Sequence, residues 1–126
     1  MTSTLRLVPE YQPVSPSVCA PWCTHGDGHP NEFCPEDQVC WGDAMYIMLE
    51  REPGDVGFAG EPYPARMGVM ARKAPDREPV VYLHVELPKL NIDVDAGLTA
   101  EEARALAAAL TQVADTITFA SVEATR

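Results

Sequence analysis

The chain has 126 residues, a length that fits one domain with a modest hydrophobic core. It carries 19 acidic and nine basic residues, which gives a formal charge of −10 and a pI near 4.5. This balance argues against direct binding to nucleic acid or to an anionic membrane, because both are recognised mainly through Lys and Arg. No apolar run approaches the roughly 18 residues that span a bilayer, so the sequence predicts a soluble protein.

The first 18 residues predict a cytoplasmic protein with one short N-terminal strand. Arg6, Glu10 and the following prolines and serines leave no room for the apolar core of a secretory signal. Residues 4–8 alternate polar and apolar side chains, as a half-buried strand does. The proline-rich stretch 9–21 then predicts a segment without regular structure.

All four cysteines and two of the three histidines fall within residues 19–40, in the spacing C-x3-C-x-H-x3-H-x4-C-x5-C. Clustered cysteines in a reducing compartment more often hold metal than form disulfides. Zinc prefers thiolate and imidazole ligands, and a structural site uses four of them. The six candidate ligands are Cys19, Cys23, His25, His29, Cys34 and Cys40.

The sequence therefore predicts a structural Zn²⁺ knuckle, in which six candidates compete for four positions. The turn-forming residues 26–31 let the chain reverse and bring His25 or His29 back to the first cysteine pair. Which four residues bind the metal is left open. Iron or an iron-sulfur cluster, a pair of disulfides and unliganded thiols are the alternatives.

The rest of the chain predicts a small antiparallel sheet. Residues 52–65 contain several prolines and glycines and predict a long loop. The turn signal Ala74-Pro75-Asp76 separates two apolar runs and predicts a hairpin. The predicted strands are 44–49, 66–72 and 80–87, with 92–94 extending the sheet.

A C-terminal helix is predicted from Thr99, with Thr99 and Glu102 forming a capping box. Apolar residues then recur at intervals of three and four, and this stripe must pack on the sheet. Its members are Ala103, Leu106, Ala107, Leu110, Val113, Ala114 and Ile117. The predicted fold class is α+β: one domain with a metal-binding knuckle at 19–43, a sheet at 44–97, a helix at 99–117 and a tail at 118–126.

Two further polar patterns favour ordinary structural interpretations. Residues 91–102 place oxygen-bearing side chains at several positions of a calcium-binding loop, but Ala96 stands where glycine is required, so a turn leading into the capping box is favoured. Alternation in 80–87 places Tyr82, His84 and Glu86 on one face. A solvent-facing surface is favoured there over a small polar site.

The sequence resembles a family of small uncharacterised proteins from actinobacteria and their phages. The resemblance is carried by Cys19-Ala20-Pro21-Trp22-Cys23, similar to a C-P-x-W-C zinc knuckle, and by the segment 98–107, which is similar to an L-[ST]-x-E-E-A helix. It implies Cys19 and Cys23 as ligands, His25 or His29 as the third, and Cys40 at the place of a later histidine. It also implies a bacterial or phage-infected host, and the family has no assigned activity.

No catalytic constellation is evident. A Gly-rich phosphate loop and the H-x-E signature of zinc deaminases are absent, and a hydrolytic zinc needs an open coordination position. The favoured function is a non-enzymatic interaction or regulatory module that presents Trp22, Phe33, Trp41 and the 52–65 loop to a protein partner. The alternatives are an acidic DNA mimic that inhibits a nucleic-acid-binding protein and, less favoured, a zinc hydrolase. The partner and the oligomeric state are left open, a homodimer included.

Overall fold

The computed structural model describes Ser15 and residues 17–124, with side chains as far as residue 120 in the C-terminal helix. The predicted strand at residues 4–8 lies outside this part. In chain order the strands are β1 Cys40–Trp41, β2 Met45–Met48, β3 Asp55–Val56, β4 Pro62–Tyr63, β5 Arg66–Lys73, β6 Val80–Leu87 and β7 Ile92–Leu98, followed by helix α1 Ala100–Ala124. Two short 3-10 helices lie at Pro35–Asp37 and Pro88–Leu90.

The main sheet is antiparallel, and its centre is the predicted β5–β6 hairpin. The hairpin closes through a hydrogen bond from the Arg77 amide to the Ala74 carbonyl. β6 pairs with β7 on its other side, while β1 and β2 both pair with the free edge of β5. With one C-terminal helix beside this sheet, the predicted α+β class is confirmed.

The segment 52–65 is not the uniform loop that the sequence predicted. It contains a small separate hairpin of β3 and β4, closed by a hydrogen bond from the Gly57 amide to the Glu61 carbonyl. Gly60 has a φ of 85°, a left-handed conformation that glycine adopts without steric cost. Strands of two residues are too short to show alternation, so their pattern was invisible in the sequence.

β7 is longer than the predicted 92–94 and runs to Leu98, which lies opposite Val81 of β6. Ala96 lies on the same face of β7 as Leu98 and is small. The alternation of large apolar and polar side chains that marks a strand is therefore not evident in this part of the sequence. Because Asp93 and Asp95 lie within this strand, residues 91–102 do not form a calcium-binding loop.

Helix α1 starts as predicted. The Glu102 amide donates to Thr99 Oγ1 over 3.0 Å, and the Thr99 amide donates to Glu102 Oε1 over 2.9 Å. The helix continues to Ala124 instead of ending at Ile117. The apolar stripe indicates which residues pack against the sheet, and it does not indicate where the helix ends. No proline or glycine follows Ile117 closely enough to end the helix there.

The sheet packs against the first half of α1 through one apolar face. A space of about 260 Å³ lies between them, lined by Ile47, Met67, Val69, Val81, Leu83, Leu98, Ala103, Leu106, Ala107 and Leu110. Among the described residues the buried apolar side chains are only Cys40 and Ala65, each 2% exposed, so the core is thin. None of the helices in the described part could cross a membrane.

Candidate metal centre

Three cysteines and one histidine converge beside the edge of the sheet. One ligand atom from each of Cys19, Cys23, His29 and Cys40 lies within 4.8 Å of all the others. His29 Nε2 is 3.4 Å from Cys23 Sγ and 3.6 Å from Cys40 Sγ. Zn–S and Zn–N bonds of about 2.3 and 2.05 Å at a tetrahedral angle separate S and N by about 3.6 Å. The cluster is therefore geometrically suited to holding a metal ion.

A tight loop brings His29 back to the cysteines. Gly26, Gly28 and His29 all have left-handed backbone conformations, with φ of 65°, 81° and 54°. Asp27 supports the turn, because its Oδ1 accepts a hydrogen bond from the His29 amide over 3.0 Å. Left-handed residues reverse the chain sharply, and two of these three positions are glycines, which adopt that conformation freely. The turn-forming residues predicted for this segment therefore place the imidazole.

Gln38 holds this loop in place, and sequence reasoning did not identify it. Its side chain is buried, and Nε2 lies 2.8 Å from the Ser15 carbonyl, 3.2 Å from that of Gly28 and 3.0 Å from that of His29. The amide thus ties the histidine's own backbone to the segment that leads into Cys40. Glutamine is not one of the usual zinc ligands, so only its place two residues before a clustered cysteine could have marked it.

The ligand segment is joined to the sheet through β1. Cys40 lies in that strand and is 2% exposed. The Thr24 amide and Thr24 Oγ1 both donate to the Trp41 carbonyl, over 3.0 and 3.1 Å. The Gly28 amide donates a hydrogen bond to Cys19 Sγ over 3.2 Å. The cluster therefore links residues 17–29 to the edge of β5.

The thiols of Cys23 and Cys40 differ in pKa. Burial raises the pKa of Cys23, but hydrogen bonds from the backbone of Gly26 and His25 outweigh it and lower this pKa to about 6. Burial and the neighbouring thiols of Cys23 and Cys19 raise the pKa of Cys40 to about 11. The surroundings therefore favour the thiolate form more at Cys23 than at Cys40.

The other two candidate ligands lie outside this group. The His25 ring stacks on that of His29 at a centroid distance of 5.6 Å, and its Nδ1 lies 3.4 Å from Thr24 Oγ1. Cys34 is exposed, and its carbonyl accepts from the Asp37 amide at the start of the first 3-10 helix. Of the six candidates, the structure brings together Cys19, Cys23, His29 and Cys40.

A second polar cluster surrounds His84, on the face of the sheet opposite to the one that packs against α1. Its Nδ1 contacts Asp95, and its Nε2 lies 2.8 Å from Glu86 Oε1 and 3.3 Å from Asp93 Oδ1. Hydrogen bonding to Asp95, followed by Glu86, raises the pKa of His84. Arg66 in turn pairs with Glu86 over 2.7 Å. Both ring nitrogens therefore face carboxylates, an arrangement that favours the protonated form of the ring.

Comparison with known proteins identifies a family to which the chain is similar. The model of the family described as a domain of unknown function, DUF6907, matches residues 4–125. No curated protein and no solved structure matches the chain. The expected relationship to an uncharacterised family is thereby confirmed.

Proposed function

We propose that this chain, which belongs to the DUF6907 family, is a small structural-zinc protein that acts as a non-enzymatic protein-interaction module. The observation that carries the zinc assignment is the spacing of the cluster. His29 Nε2 lies 3.4 and 3.6 Å from two sulfurs, where tetrahedral zinc requires about 3.6 Å. The donor set of three sulfurs and one imidazole suits zinc better than the hard cations magnesium and calcium.

A structural role for the ion follows from the same donors. Four protein ligands fill a tetrahedral site, so no position is left for a reactive water. Cys40 is buried in a strand, and Cys19, Cys23 and His29 come from the segment that precedes the sheet. An ion bound by these four residues would hold that segment against β1 and stabilise the folded state.

The interaction role is supported by large aromatic side chains on the surface. Phe58, at the tip of the β3–β4 hairpin, is fully exposed, Phe33 is 81% exposed and Trp22 is 36% exposed. Aromatic residues are enriched where proteins bind proteins. Trp41 is different, because its ring packs edge-on against Tyr82 at 5.0 Å. Trp22, Phe33 and Phe58 are therefore the exposed aromatic residues proposed to contact a partner.

Elemental analysis of protein purified without chelator tests the zinc assignment. The wild type should carry one equivalent of zinc, and Cys40→Ser should lose most of it, because a hydroxyl is a poor replacement for a buried thiolate. Cys34→Ser is the matched control and should keep a full equivalent, since Cys34 lies outside the cluster. A wild type with less than about half an equivalent would contradict the proposal.

Salt and one substitution test the interaction role. A partner bound through aromatic side chains should stay bound at about 0.5 M salt and be lost with Phe58→Ser. Release of the partner by salt, with no effect of Phe58→Ser, would favour the acidic DNA mimic instead.

A further inference from the structure

His84 and three carboxylates meet on the polar face of the sheet, outside the cysteine cluster that contains His29. The register places Asp95 directly opposite His84, and Asp93 directly opposite Glu86. Side chains that lie opposite each other in an antiparallel pair share one face, with their Cβ atoms about 5 Å apart. One ligand atom from each of His84, Asp93 and Asp95 lies within 4.8 Å of the other two. Strand pairing therefore gathers ligand atoms from β6 and β7 at one place.

The two ring nitrogens of His84 have different surroundings. Nδ1 contacts Asp95, whereas Nε2 lies 2.8 Å from Glu86 Oε1 and 3.3 Å from Asp93 Oδ1. Metal bonds of about 2.1 Å at right angles to each other separate two donor atoms by about 3.0 Å. Nε2 thus has two carboxylate oxygens at the spacing that neighbouring ligands of an octahedral ion require.

The side chains around these donor atoms fix their directions. A metal on Nε2 leaves the ring proton on Nδ1, where Asp95 can accept it. Ligating histidines usually donate their second N–H to a carboxylate in this way, which orients the ring. Asp95 also accepts a hydrogen bond from the Tyr82 hydroxyl. Arg66 Nε donates to Glu86 Oε2 over 2.7 Å, which leaves the other carboxylate oxygen directed at the ring.

A single proton does not balance the charge of this cluster. The three carboxylates carry three negative charges at neutral pH, and Arg66 supplies one positive charge. A protonated ring would leave one negative charge unbalanced, whereas a neutral ring with a divalent cation would leave none. The side chains of His84 and Glu86 are only 18% and 12% exposed, so water screens their charges in part.

We propose that this cluster is a second metal site, which binds a first-row divalent cation such as Mn²⁺ through His84 Nε2, Glu86 and Asp93. One imidazole and two carboxylates include no sulfur, so this donor set suits a harder ion than the cysteine cluster does. The side chain of Asp93 is 69% exposed, so the site is open to solvent on one side. Three protein ligands leave the remaining positions of an octahedral ion to water.

Electron paramagnetic resonance tests the site with the full chain, because Mn²⁺ loses the sharp signal of the free ion when protein binds it. At about pH 8, where protons compete less for the ring, we expect one Mn²⁺ per chain with a Kd of about 10 to 100 μM. About a tenfold excess of Ca²⁺ should displace little of it, because calcium prefers six to eight oxygen ligands. Zinc content is measured on the same samples and should not change.

Two substitutions of ligands and one matched control locate the ion. Asp93→Asn removes an anionic ligand from an exposed position and should weaken Mn²⁺ binding at least about 10-fold. His84→Gln removes the nitrogen ligand and should weaken it by at least as much. Asp115→Asn removes one negative charge from the exposed surface of α1 and should leave the affinity unchanged. All three variants should keep the wild-type circular dichroism spectrum.

This inference does not depend on the zinc assignment, and the outcomes separate the two. A Kd above about 1 mM, or equal weakening by Asp93→Asn and Asp115→Asn, would overturn the second site and leave only attraction by the net charge of −10. Displacement by Ca²⁺ would contradict the nitrogen ligand. Release of zinc in proportion to the Mn²⁺ bound would place Mn²⁺ at the cysteine cluster and would also overturn the second site. A wild type that binds Mn²⁺ but contains no zinc would overturn the zinc assignment alone.

Discussion

Gln38 is an uncharged side chain that holds the loop of His29, one of the four clustered residues, in place. Its amide nitrogen reaches three carbonyls, two of them on Gly28 and His29. The Gly28 carbonyl also accepts from the Ser17 amide, but the buried His29 carbonyl would lose its donor without Gln38, at a cost of about 1 to 3 kcal/mol in stability. The left-handed backbone at His29 is therefore held from outside the loop as well as by Asp27.

Gln38→Ala should weaken zinc binding by about 10- to 100-fold, as loss of a residue that positions metal ligands does. The expected measurement is competition with a chromophoric chelator at neutral pH. Gln112→Ala removes the same side chain from the exposed surface of α1 and should leave the affinity unchanged. Equal affinity of Gln38→Ala and the wild type would show that the loop holds its shape without this amide.

His84 should make the stability of the sheet pH-dependent. Hydrogen bonding to Asp95 and Glu86 raises its folded pKa above the ordinary value of 6.5. The stabilisation is therefore fully present below about pH 6.5 and is lost as the pH rises through the raised folded pKa. The groups that face the ring are Tyr82, Glu86, Asp93 and Asp95.

Urea unfolding of the wild type and His84→Gln at several pH values measures this effect. The difference in the free energy of unfolding should be largest near pH 5.5 and should shrink above neutrality. Loss of the proposed zinc at low pH would affect both proteins and cancel in the difference. A difference that grew with pH would mean that the ring is neutral in the folded protein.

At the scale of elements, the start of α1 depends on two reciprocal hydrogen bonds. Thr99→Ala removes the hydroxyl that accepts from the Glu102 amide, and should lower the free energy of unfolding by about 1 kcal/mol. Thr111→Ala is the matched control, because its hydroxyl bonds only to the Ala107 carbonyl on the same exposed helix. Urea unfolding at one fixed chain concentration measures both. An equal effect of the two substitutions would contradict a specific role for the cap.

At the scale of the whole molecule, removal of zinc should separate the two parts of the chain. The β5–β7 strands pair with each other without help from the ligands, whereas residues 17–29 join the sheet through the cluster and a few hydrogen bonds. With a strong chelator, amide exchange in 17–43 should rise towards unfolded rates while β5 to β7 stay protected. Unchanged protection of 17–43 would show that the metal is not needed for its fold.

Local spacing was enough to predict several features. The clustering of cysteines and histidines, the β5–β6 hairpin with its Ala74-Pro75-Asp76 turn, and the Thr99–Glu102 cap are all set by residues close together in the chain. Turn and cap residues act on their immediate neighbours, so their effect survives whatever the rest of the chain does.

Only the tertiary structure decided which ligands meet and which apolar surfaces stay open. His29 joins Cys19, Cys23 and Cys40 because the left-handed loop, Gln38 and the pairing of β1 with β5 act together across the chain. The sequence predicted a stripe on α1 that must be covered. In the described part of the chain the sheet lies against the first half of the helix, because a helix of 25 residues is longer than strands of eight residues.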